Sequence, residues 1–182
     1  MKLEKRNEEA LLAYCDVLLV LRGMQDKDNL ARPKNELSPT NSVINRMISR
    51  AIRNATDSAH PFGYSDSGKD AAQYDSEDAL KQKERGKTEG LICEHVIPIS
   101  VLRRHILDGW ADWKREELFS CFLAYSITAV VTEKENKRLK EEGLHQVMPP
   151  GKTISDKFSR YEFADIRLKE RDVARQNDLS PA

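Results

Sequence analysis

Two stretches hold residue types that can do chemistry together. Leu91-Ile92-Cys93-Glu94-His95-Val96-Ile97-Pro98-Ile99-Ser100 sets a carboxylate and an imidazole side by side at the end of a β-rich run. Pro98 stops that run, because proline cannot donate to a sheet. Ser126 to Asn136 is a second β-branched run, and it passes directly into a helix start. Cleaving a phosphodiester needs a water made nucleophilic, a charge that neutralises the phosphoryl oxygens, and stabilisation of the departing sugar oxygen. A neutral histidine at a strand end can take the proton from water, since an unperturbed imidazole titrates near pH ~6.5. A carboxylate and an amide oxygen are hard ligands suited to magnesium or manganese, and two protein ligands leave positions for water and phosphate. His95 is thus the candidate base, with Glu94 and Asn136 the candidate metal ligands.

The elements that must position these groups are legible around them. Thr132-Glu133-Lys134-Glu135 matches a capping box, in which hydroxyl and carboxylate satisfy the free amides of a first turn. A helix starting at Thr132 puts Asn136 near the end of its first turn and Lys140 one turn further on the same face, with Gly143 as C-cap. Upstream, Leu11, Leu12, Cys15, Leu18 and Leu19 predict a helix over 8–24 ending at Gly23. Residues 25–37 read as a connector. Ser38-Pro39 then opens a second helix with Val43, Ile44, Met47, Ile48, Ala51 and Ile52 on one face. Arg46, Arg50 and Arg53 line its other face, as a solvated stripe or one that follows phosphates. Residues 55–90 are loop-rich, with helical turns over 78–85 and a solvated His60. Short helices are predicted over 100–107, carrying Arg103, Arg104 and His105, and over 111–123, packed through Trp113, Leu118, Phe119 and Phe122. The remainder from His145 ends in a charged, frayed tail.

Composition narrows the class. The 182 residues carry 30 Lys and Arg against 30 Asp and Glu, which argues against indiscriminate nucleic-acid binding but not against a local basic surface. Charged residues make up 33% and mean hydropathy is −0.66, and no run approaches the ~18–20 apolar residues of a membrane helix. Glu8 and Glu9 interrupt any signal-like core after Met1-Lys2-Leu3-Glu4-Lys5-Arg6, so a cytoplasmic protein with no membrane partner is the expectation. Cys15, Cys93 and Cys121 form no C-x-x-C pair, against a disulfide framework or structural zinc. No phosphate loop, nucleophile elbow or dinucleotide fingerprint appears.

Glu94-His95-Val96-Ile97-Pro98-Ile99-Ser100-Val101-Leu102, followed by Thr128-Ala129-Val130-Val131-Thr132-Glu133-Lys134-Glu135-Asn136-Lys137-Arg138, resembles the ββα-metal motif of HNH (His-Me finger) endonucleases. It is most similar to the variants that end in Asn, as in the HNH domain of RNA-guided DNA nucleases. The resemblance, over about residues 91–142, implies a metal-binding role for Glu94, the general base at His95 and a second metal ligand at Asn136. It implies for Thr128 the place of the middle Asn that braces the base-bearing loop, a departure that leaves Ser126 as an alternative brace. The helix around Trp110 to Phe122 is then an insertion in the motif. Asn136 and His145, nine residues apart, also fit the family's Asn-to-His interval, but Gly143 breaks the helix first. Asn136 is therefore preferred as the last ligand, with His145 a neighbour and His105 a surface group.

The expectation is an α+β chain. It has an N-terminal helical region (1–58), a loop-rich connector (59–90), a ββα-metal module (91–142) and a C-terminal extension (143–182). The expected activity is Mg2+- or Mn2+-dependent hydrolysis of DNA, with RNA the less favoured substrate. Arg103, Arg104, Lys137, Arg138 and Lys140 are expected to hold the backbone. One module cuts one strand, so double-strand cleavage calls for a homodimer or sequential nicks, and the apolar N-terminal helices offer an interface. The competing reading is a non-catalytic DNA-binding or assembly protein on a degenerate ββα scaffold. Restriction, phage DNA processing, mobility of a genetic element and a toxin are equally compatible with these residues.

Overall fold

The chain is α+β. A computed structural model describes Leu3 and residues 5–30, 39–59 and 72–171, apart from the side chains of 26–30 and 39–42. The expectations for most of the 25–37 connector, the Ser38 cap, His60 and the tail beyond Arg171 lie outside the described residues. The elements are α1 (Lys5–Leu30), α2 (Pro39–Ser58), β1 (Tyr74–Ser76), α3 (Glu77–Glu84), β2 (Leu91–His95), α4 (Ile99–Asp108), α5 (Arg115–Tyr125), β3 (Thr128–Thr132), α6 (Glu133–Glu141), α7 (Ser159–Phe163) and β4 (Leu168–Glu170). They form two compact units, Met1–Ser65 with Ile99–Ser126, and Asp66–Pro98 with Ile127–Ala182. These units do not follow the four consecutive stretches predicted from chain order. The stretch between β2 and β3 is excursive: it belongs with α1 and α2.

In the first unit, α1 and α2 pack through buried Leu11, Cys15, Leu18 and Leu21 against Ile44, Ile48, Ile52 and Ala55. These positions recur at three- and four-residue spacing, the helical stripe that burial requires. Helix α1 runs on past Gly23, since one interior glycine costs only about 1 kcal/mol. Arg22 donates to the carbonyls of Trp110 (3.0 Å) and Trp113 (2.8 Å), which fixes the turn between α4 and α5. Val17, Val20, Val43 and Met47 remain exposed apolar groups beside Arg46 and Arg50. No described helix is long and apolar enough to cross a membrane.

The second unit is a sheet of order β2-β3-β1-β4. β2 and β3 are antiparallel, with Glu94 opposite Ala129 and His95 opposite Thr128, while β3 and β1 are parallel and β1 and β4 antiparallel. Strand β1 lies in the stretch predicted as loop: three polar residues carry no alternation signal. Its Asp75 is buried because Arg171 approaches both carboxylate oxygens at 2.7 Å and Lys83 donates at 2.6 Å. Alternation divides the strands between two faces. Ile92, Val96, Ala129 and Val131 pack with Leu139 of α6 and Tyr161 of α7, whereas Leu91, Cys93 and Val130 pack with Ala72 and Ala79.

Candidate functional site

Strand β3 of the antiparallel β2–β3 ladder feeds straight into α6, and the start of that helix is fixed by the predicted box. Glu135 N donates to Thr132 Oγ1 (3.2 Å), while Thr132 N and Oγ1 both donate to Glu135 Oε2 (2.8 Å each). Glu135, Asn136 and Leu139 are the buried residues of α6. Asn136 is 7% exposed, and its Oδ1 has no hydrogen-bond partner among the described residues. A buried acceptor left alone costs about 1–3 kcal/mol, so this oxygen is free to accept a ligand or a water.

Glu94 is the centre of charge. Parity on β2 puts it with Ile92 and Val96, on the face covered by α6 and α7. Burial raises its carboxyl above the usual carboxylate range, and the charges of Arg160, His145 and Lys140 pull it back. Its Oε2 lies 3.5 Å from Arg160 Nη2 and its Oε1 lies 3.9 Å from His145 Nε2. Lys140 shares a helix face with Asn136, so Asn136 and Glu94 belong to one side of the sheet. Their oxygens, a carboxylate and a partnerless amide, suit a hard cation that keeps several waters. The donor set therefore fits magnesium or manganese. Among the described residues no three His, Cys, Asp or Glu converge as metal ligands.

Other predicted residues are disposed differently. His95 is half-buried, and alternation along β2 assigns it the parity of Cys93, opposite to Glu94. It is also the last residue of the strand, where the chain bends. Thr128, opposite His95 in the ladder, donates from Oγ1 (3.0 Å) and backbone N (2.7 Å) to Gln73 Oε1. A further Thr128 side-chain bond lowers the Cys93 thiol pKa, although burial pushes it up to about 11 overall. Arg138 Nη1 donates to the carbonyls of Ala164 (2.9 Å) and Asp165 (3.2 Å), so this guanidinium caps α7 rather than projecting outward. Lys137 and Lys140 are exposed, the former 3.5 Å from Glu141. Arg103 and Arg104 lie on α4, in the first unit.

Two groups at this centre were not singled out from sequence. Arg160, fully buried, donates from Nε to Leu144 O (2.6 Å) and from Nη1 to both His95 O (3.0 Å) and Val96 O (3.1 Å). Its Nη2 serves Glu94 Oε2 and His145 O (3.4 Å). Gln73, beside β1, holds Thr128. An arginine set among Phe158, Tyr161 and Phe163 gives one usable signal, since a charge that is buried with aromatic neighbours requires acceptors. No protein-family model, curated protein or solved structure matches the chain.

Proposed function

We propose that the second unit is a ββα-metal endonuclease of HNH type that hydrolyses DNA phosphodiester bonds with magnesium or manganese. What supports the reading is a buried Asn136 Oδ1 with no partner among the described residues, on the first turn of α6, together with a partly compensated Glu94 carboxylate on the face of β2 that this helix covers. Both oxygens would hold the ion, which supplies charge to the phosphate and the leaving oxygen when bound. His95 at the strand end takes the proton from the attacking water. Lys137 and Lys140, exposed on α6, hold phosphates, and Arg138 contributes through the α6–α7 junction instead. A carboxylate fixed on one oxygen by Arg160 keeps the other for the ion.

The competing reading is a non-catalytic scaffold, favoured by the 3.5 Å contact that lets Arg160 neutralise Glu94 without any ion. Incubating the protein with supercoiled plasmid, linear duplex and single-stranded RNA, each in magnesium, manganese or chelator, separates the two. Ion-dependent cutting of DNA is the expected result. Binding of plasmid without cutting in either metal would favour the scaffold.

A further inference from the structure

Burying a guanidinium costs several kcal/mol, and apolar packing of similar volume would often do as well for stability alone. Arg160 spends that cost on geometry. Along an extended strand successive carbonyls point to opposite edges, yet the carbonyls of His95 and Val96 both accept from Arg160 Nη1. The strand is therefore bent at these two residues, and the guanidinium is what faces the bend. The same fork reaches Glu94 Oε2 on one side and the carbonyls of Leu144 and His145, at the exit from α6, on the other. One rigid planar group thus ties together the strand end that carries Glu94 and His95 and the segment that follows the helix carrying Asn136.

We propose that Arg160 is the positioning residue of this site: its guanidinium sets the His95–Val96 bend and fixes the Glu94 carboxylate by Oε2, so that Oε1 and the imidazole are presented in one geometry. This role rests on the nuclease reading. Lysine keeps the charge but offers a point ammonium in place of a fork, and it cannot serve all five acceptors.

R160K is compared with wild type in plasmid nicking under magnesium, with near-UV circular dichroism as the control for folding. The expected result is a kcat lowered about 100-fold, the scale of a displaced catalytic group, with KM for DNA held within about threefold. A folded R160K with wild-type kcat would overturn the role. Should R160K fail to fold, the wild-type protein is titrated with magnesium while the guanidinium nitrogen resonances are followed. The Arg160 signals are expected to move with the same midpoint as activation of cutting, and unmoved signals would overturn the role. Wild-type protein that cuts no DNA in either metal would instead overturn the nuclease reading, and the positioning role with it.

Discussion

Ser76 Oγ donates to Glu135 Oε2 at 2.7 Å across 59 residues of sequence. The same carboxylate oxygen accepts from Thr132 N and Thr132 Oγ1, and Ser76 Oγ in turn accepts from Ala79 N at 3.0 Å. The first turns of α3 and α6 are therefore joined through one buried carboxylate, and Asn136 is the next residue along. Glu135→Ala leaves these donors alone in the interior and is expected to cost about 3 kcal/mol in urea denaturation. Ser76→Ala is expected to cost about 1–2 kcal/mol. The two changes should couple by at least about 0.5 kcal/mol in a double-mutant cycle; strict additivity would mean the contact is idle.

Asn136 offers a trade of function against stability. Leucine has a similar volume and no oxygen to leave alone, so Asn136→Leu in chelator should be as stable as wild type or more so. Cutting should fall by about 100-fold or more, since the amide oxygen is gone. A large loss of stability in chelator would show that Oδ1 already has its partner.

The three thiols set an alkaline limit. Burial raises Cys15 and Cys121 from an ordinary 9.0 to about 12 and Cys93 to about 11. Each folded value lies above the unfolded one, so the unfolded chain loses these protons first. Their contribution is full below the unfolded pKa and is lost as pH rises towards the folded values. The urea midpoint should therefore drop between about pH 8.5 and pH 10, and the native thiols should resist alkylation near pH 8 until the protein is denatured. Rapid native alkylation of Cys15 or Cys121 at that pH would contradict the burial of these two side chains.

On the proposed nuclease reading, the exposed apolar face of α1 and α2 is the candidate surface for pairing two copies. A single site opens one strand, so nicked circles should precede linear plasmid, and linear product should rise more steeply with protein concentration than nicks do. Met47→Glu, at a residue 49% exposed, should remove that steep dependence and leave nicking within about threefold. Linearisation unchanged by Met47→Glu would place any pairing of copies elsewhere.

What could be read from the sequence follows the range of the forces involved. The α6 start was legible because a capping box is satisfied within four residues, β3 because a β-branched run is a local signal, and β2 because Pro98 closes a short apolar run. Strand β1 was not: Tyr74-Asp75-Ser76 becomes a strand through Val130 on one side and Leu168 to Glu170 on the other, none of which is near in sequence. Arg160 and Gln73 escaped for the same reason, since their acceptors and donors come from distant segments. The opposite parity of Glu94 and His95 was available from the two-residue period of a strand. Adjacency in sequence suggested convergence, and the bend at His95–Val96 is the feature that qualifies that parity.

The most direct test is plasmid cutting by wild type and His95→Ala side by side, in magnesium and in chelator, with plasmid binding measured for both. Cutting by wild type only with the ion, a loss of about 100- to 10,000-fold in His95→Ala and equal binding by the two proteins are expected. Ion-dependent cutting that survives in His95→Ala at the wild-type rate would contradict the role of His95 as the base.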